Sequence, residues 1–181
     1  DTMIHDGLWD PYNDMHMGNC GDLVAEKYAF SREDQDAFAA ESYRRALGAC
    51  EAGKFKDEIV PVPVPQRRGD PVLVDADEEP SRGDPAKFSK LRAAFNKEGT
   101  VTAANASTLN DGAAALLLAS EEQAQALGLR TVARIPCDAS AAVEPKWFTI
   151  APVHALQKLY DKSGTQAGDW DLYEINEAFS G

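Results

Sequence analysis

GTVTAANASTLNDGAAALLLAS, residues 99–120, is where the chain changes character. Its first half holds small and amide side chains, so the backbone there can come close to a neighbour or a ligand. Asn110, Asp111 and Gly112 then supply turn chemistry: Asx-type hydrogen bonds and a residue free to take positive φ. The apolar run at residues 113–118 is short and bounded by turn residues. That is the pattern of a strand buried on both faces, and a buried helix of this length has the same one. Downstream, Ser120-Glu121-Glu122-Gln123 is a capping-box arrangement opening a helix that Gly128 closes. VARIPCDAS (residues 132–140) reads as a strand and turn. Residues 151–160 read as a helix with Pro152 tolerated in its first turn. A polar loop at 163–169 precedes a closing strand through Leu172, Tyr173 and Ile175. Alternating strand and helix places this half in the α/β class.

Upstream the order is different. Residues 1–20 read as a loop-like stretch with Trp9, Tyr12 and two methionines around His16, followed by a short helical segment carrying Leu23, Val24 and Tyr28. SREDQDAFAAESYRRALGACEAGKF, residues 31–55, is the best-marked helix. Ser31 stands at the N-cap, acids fill the first turn, Phe38, Tyr43, Ala46, Leu47 and Cys50 recur at helical spacing, and Gly53 falls at the C-terminal cap. EIVPVPVPQ (58–66) favours an edge strand, because three prolines each remove a ladder donor. Residues 66–89 read as a charged surface excursion with one short strand at 72–74. A further helix is expected near 88–95.

Eighteen basic against thirty acidic residues give a formal net charge of -12. Such a chain repels a phosphate backbone, so no nucleic-acid partner is expected. No run of about 18 apolar residues exists, so no membrane span is expected either. Cys20, Cys50 and Cys137 are scattered and odd in number, which speaks for a reducing context. With only His5, His16 and His154 beside them, no metal-ligand spacing emerges. The chain begins without an initiator Met. The compartment, cytoplasmic or mitochondrial, is therefore left undecided by its first residues.

Set beside His16-Met17-Gly18, SREDQDAFAAESYRRA, GKFKDEIVPV and the closing Asn176-Glu177-Ala178-Phe179, the 99–120 stretch resembles the thiolase family. The acetoacetyl-CoA thiolase branch (acetyl-CoA C-acetyltransferase) is the nearest in wording. The resemblance runs through essentially the whole chain. It implies an α/β thiolase-like fold in α/β/α layers, here a central fragment. The expected division is 1–108 for the loop domain that covers the acyl-CoA, 109–130 for the last strand and helix of the N-terminal core domain, and 131–181 for the start of the C-terminal core domain.

It also implies a chemistry: transfer of an acetyl group from a CoA thioester to a cysteine, then joining to the carbanion of a second acetyl-CoA, or the reverse. That reaction needs a thiolate, a base and stabilisation of charge on thioester oxygens. Asn176 matches the family asparagine that holds an oxyanion-hole water; on its residues alone it reads first as a turn former after a strand. Leu8, His16, Met17, Ala103, Ser107, Ala178 and Phe179 match the pantetheine and acyl surroundings, and Arg82 is the candidate at the adenine-ribose end. Glu177 reads as a structural acid. The family's nucleophilic cysteine is expected before residue 1, and its histidine and second cysteine beyond residue 181. The chain alone is therefore expected to be inactive; the alternative is a non-catalytic acyl-CoA-binding or oligomerisation module. No resident cofactor is expected, since the coenzyme A thioester is substrate. The wording of residues 103–106 resembles members that bind potassium through backbone carbonyls, but those carry tyrosine where Pro80 stands, removing one ligand. The whole enzyme is expected to be a homodimer or homotetramer.

Overall fold

The computed structural model describes residues 1–181. A one-turn π-type segment, Met3–Leu8, leads into a small hairpin of β1 (Trp9–Asp10) and β2 (Met15–His16). Helix α1 (Met17–Tyr28) follows without a linker. His16 caps it: its Nδ1 accepts the Gly18 backbone N–H at 3.0 Å, satisfying one of the orphan donors of the first turn. Helix α2 (Arg32–Glu51) starts at the expected Ser31, whose Oγ accepts from Asp34 N at 3.0 Å while the Asp34 carboxylate accepts back from Ser31 N at 3.3 Å. Gly53, at φ +67°, lies just past its end.

The core lies where α1 and α2 meet residues 101–105. Cys20, Val24, Ala25, Ala39, Phe88, Val101 and Ala104 are its buried apolar members. Buried polar side chains bind the third element to the two helices. Asp22 Oδ1 accepts from Thr100 N and Val101 N at 2.8 and 2.9 Å, and Gln35 Nε2 donates to Thr100 Oγ1 at 2.8 Å. Stripping water from these groups would be costly without such partners.

The proline-rich edge segment and the short strand at 72–74 form one exposed antiparallel hairpin, β3 (Val62–Val64) with β4 (Val72–Val74). Two short helices follow, α3 (Glu79–Arg82) and α4 (Pro85–Phe88). Helix was expected at 88–95, yet α4 ends at Phe88. Arg32 takes the freed carbonyls, its Nη2 donating to Phe88 O at 2.6 Å and Leu91 O at 3.1 Å. The stretch to Phe95 is drawn onto α2 by side-chain bonds.

The three strands expected at 113–118, 132–136 and 172–175 form no ladder; the one bridge near them pairs Ala106 with Phe179. A strand exists through its neighbours' hydrogen bonds, and the two sheets of this chain are the hairpins β1–β2 and β3–β4, neither of which pairs with these three. Leu116, Leu117 and Leu118 are 88, 82 and 71% exposed instead of buried. The helices between them need no neighbour for their backbone bonds. Helix α5 (Glu121–Ala126) forms on the Ser120 cap, and Gly128 takes φ +62° beyond it. Helix α6 (Ala151–Ser163) runs past the expected end to Gly164, preceded by a 3-10 turn, Pro145–Ile150, that packs on α1. The chain exposes 14255 Å², against about 8,600 Å² for a compact monomer of this mass.

Candidate functional site

Two of the quoted motifs meet in space. Ala106 and Phe179 form an antiparallel bridge, Ser107 N donates to Ala178 O at 2.9 Å, and Ser180 N donates to Asn105 O at 2.9 Å. The small residues at 103–107 permit this approach, since bulky side chains would hold the two backbones apart. Asn105, 3% exposed, fixes the loop from beneath. Its Oδ1 accepts from Thr102 N at 2.7 Å, and its Nδ2 donates to Thr100 O and Asp36 Oδ1, both at 3.0 Å. Asp36 is in turn paired with Arg32 Nε at 2.8 Å.

Over this junction lies a cavity of about 560 Å³ whose lining includes Ser42, Tyr43, Ser107, Thr108, Asn176 and Glu177. Neutral donors dominate its polar wall. Of its three carboxylates, Glu177 Oε2 accepts from Ser42 Oγ at 2.6 Å, and Glu79 Oε1 accepts from Tyr43 Oη at 2.8 Å, which leaves Glu174. Burial, reinforced by the bond to Glu79, pushes the Tyr43 hydroxyl up to about 12, so it stays a donor. A second cavity of about 690 Å³ is lined by Asp14, Asp22, Glu26 and Glu98, and Asp22 Oδ2 is buried there without a partner. A phosphate-bearing ligand would be repelled at that wall.

Of the candidates from sequence, Ser107 and Asn176 line the first cavity. Both are exposed. Ala178 and Phe179 stand directly behind them in the bridge, and the Phe179 ring closes on α1 at Gly21, where an added Cβ would sit 3.1 Å from it. Ala103 is exposed at the start of the same loop. His16 and Met17 do not reach the cavity lining. They stand at the head of α1, with His16 stacked on Phe95 at a 4.6 Å centroid distance. Burial holds the His16 imidazole below its ordinary value, which keeps Nδ1 a free acceptor for the cap. Leu8 is half-buried at the end of the first segment, away from the lining. Arg82 is exposed, paired with Glu78, and lies on α3 one turn from the lining residue Glu79.

None of the three cysteines lines either cavity. Cys20 is buried, and burial together with the Asp10 carboxylate pushes its thiol up, the reverse of a nucleophile's tuning. No group of three or more His, Cys, Asp and Glu side chains is placed to hold a metal. Sequence reading missed Asn105, Asp36 and Ser42, since the bonds that link them across the site, Asn105 to Asp36 and Ser42 to Glu177, span 69 and 135 residues.

The family model described as the thiolase N-terminal domain matches residues 1–122, and that of the thiolase C-terminal domain matches residues 129–181. An acetyl-CoA acetyltransferase of Pseudomonas aeruginosa is 52% identical over 181 residues, covering 99% of this chain and 46% of its own length. The mitochondrial acetyl-CoA acetyltransferase A of Xenopus laevis is 49% identical, with 99% and 43% covered. The crystal structure of Acat5 thiolase from Ascaris suum in complex with coenzyme A superposes with a TM-score of 0.90 at 46% identity, covering 99% of this chain and 46% of that one. The acetyl-CoA acetyltransferase of Bacillus anthracis superposes equally well, at 42% identity. The chain spans about half the length of the curated relatives it matches. With both domain models matched and the backbone path shared, this chain belongs to the thiolase family, and its fold is the α/β thiolase fold.

Proposed function

We propose that this chain supplies the acyl-CoA-binding wall of an acetyl-CoA acetyltransferase, which condenses two acetyl-CoA molecules or cleaves acetoacetyl-CoA through an acetyl-cysteine. The observation that carries this reading is the junction of residues 105–107 with 178–180, which sets Ser107 and Asn176 on one cavity. A pantetheine arm needs a narrow, mostly neutral channel with amide and hydroxyl partners, and this wall offers them. Asn176, as a neutral amide, would orient a water toward the thioester oxygen; it adds no charge to compete with the developing oxyanion. Ser107 would meet a pantetheine amide. The phosphates would stay outside the carboxylate-bearing cavity, toward Arg82. On the same reading residues 1–108 form the covering domain, with 109–130 and 131–181 belonging to the two core domains, and the whole enzyme works as a homodimer or homotetramer.

No thiol faces the cavity, so the reading for the chain by itself is binding without turnover. Titration calorimetry with acetyl-CoA tests it. The unsubstituted chain is expected to bind, and Ser107→Leu, which places an isobutyl group in the channel, to weaken binding at least tenfold, roughly the effect of one blocked polar contact in a buried site. Equal affinity in both chains would sink the assignment of this cavity. Added acetoacetyl-CoA and coenzyme A are expected to remain unconsumed; thiolysis by the chain would show that a nucleophile had been overlooked.

A further inference from the structure

Helix α2 reaches the Asn176 segment at two points. Asp36 holds Asn105, whose carbonyl accepts both the N–H and the hydroxyl of Ser180, at 2.9 and 3.1 Å. Two turns further along the same helix, Ser42 Oγ donates at 2.6 Å to Glu177 Oε2, across 135 residues of sequence. Between these anchors Ala178 O accepts from Ser107 N at 2.9 Å and Phe179 bridges Ala106, whereas the stretch before Glu177 is tied mainly through Tyr173, whose hydroxyl donates to Ala167 O at 2.7 Å. Residues 171–177 lie outside any strand and are exposed, and the Asn176 side chain makes no hydrogen bond within the chain. Its backbone carbonyl takes a single local bond, from Ala178 N at 3.0 Å. An exposed asparagine on an irregular segment holds one direction only if its neighbours are tied down.

We infer that Ser42 is a positioning residue: its hydroxyl, by holding the Glu177 carboxylate on α2, sets the direction in which Asn176 faces the cavity. A charge-assisted O–H···O⁻ bond of this length is at the short, strong end of its class. It acts on the residue next to Asn176, so one rotation about the intervening backbone is what it restrains. The bonds at Ala178 O and at Ser180 lie two and four residues away, so the Ser42–Glu177 bond is the side-chain anchor nearest to Asn176. Glu177 thereby acquires a role as an acceptor with a named partner, not as a base. The inference rests on the acyl-CoA reading for what Asn176 faces, but not for the restraint itself.

The test uses the 181-residue chain as Ser42→Ala, Ser42→Thr and unsubstituted protein, with two readouts. Backbone 15N relaxation of residues 176–178 reports the restraint without ligand. It is expected to be as rigid as α2 in the unsubstituted chain and in Ser42→Thr, and distinctly more mobile in Ser42→Ala. Calorimetry then compares acetyl-CoA with coenzyme A, which lacks the thioester carbonyl. Ser42→Ala is expected to lose the preference for acetyl-CoA by about fivefold to tenfold while binding coenzyme A as before, with Ser42→Thr restoring it. A purely structural role would weaken both ligands together and would leave threonine without effect. Equal order of residues 176–178 in all three proteins overturns the inference. Failure of the unsubstituted chain to bind either ligand, with the relaxation difference present, overturns the acyl-CoA reading and leaves the positioning role standing.

Discussion

Asn105 joins three segments at a single residue: its side chain holds the 100–107 loop and, through Asp36, α2, while its backbone carbonyl holds the 178–180 segment. Asn105→Asp keeps the size but turns both donors into acceptors and brings two carboxylates to hydrogen-bond distance. The expected loss is about 2–4 kcal/mol in urea unfolding, the range for a buried network left half-satisfied. Adding Asp36→Asn restores a donor to the pair and is expected to return part of it; an additive double variant would mean the contact carries no coupling. His16 yields a pH dependence. Because its folded pKa is lowered by burial, the unfolded chain binds the proton first as pH falls. Stability is therefore full above the ordinary value of 6.5 and is lost as pH drops through the window between that value and the lowered one. His16→Asn keeps an N-cap acceptor that does not titrate and is expected to flatten the dependence measured by urea unfolding at pH 5 and pH 7.5. An unchanged slope would place the titrating group elsewhere.

At the scale of elements, α1 packs by way of two glycines that tolerate very different intrusions, Gly21 against Phe179 of the site and Gly18 against Phe95 outside it. A Cβ at Gly18 would lie 2.2 Å from the Phe95 ring, and one at Gly21 would lie 3.1 Å from Phe179. Gly18→Ala is expected to cost about 1–3 kcal/mol by overpacking. Gly21→Ala is expected to fold with less loss but to shift the Phe179 ring resonances, which Gly18→Ala should leave closer to native. The reverse ranking would show that α1 does not support the site at Gly21. What could be read from sequence follows the same division. The helices on Ser31 and Ser120 were legible because caps and acids lie within four residues of the bonds they make. The strands at 113–118 and 172–175 have strand-like residues but no partner here, and pattern cannot say where a partner is. The motifs at 103–107 and 176–179 were singled out by family wording, but that they pair with each other emerged only from the structure. Ser42 and Asp36 were invisible, being ordinary polar residues of an exposed-looking helix until their partners are in place.

Over the whole molecule, the surface far exceeds that of a compact chain, and residues 116–118 with Val132, Ile135 and Leu172 stand bare. Large apolar side chains left open to water in this number favour association. The chain is therefore expected to sediment as larger species with rising concentration and to unfold over a broad denaturant range. A strictly monomeric, sharply cooperative chain would contradict the exposed segments. No helix is long and apolar enough to cross a membrane. The cavity wall draws on α2 and the paired loops, which are braced by side chains, and on the exposed segment at 173–177. The most direct measurement is a map of backbone amide shifts on titrating the 15N-labelled chain with acetyl-CoA. Expected are saturable shifts centred on Ser107, Thr108, Asn176 and Ala178, with residues around Arg82 following at the phosphate end. Shifts centred instead on Trp9, Asp22 and Glu98, or none at saturating ligand, would contradict the acyl-CoA wall.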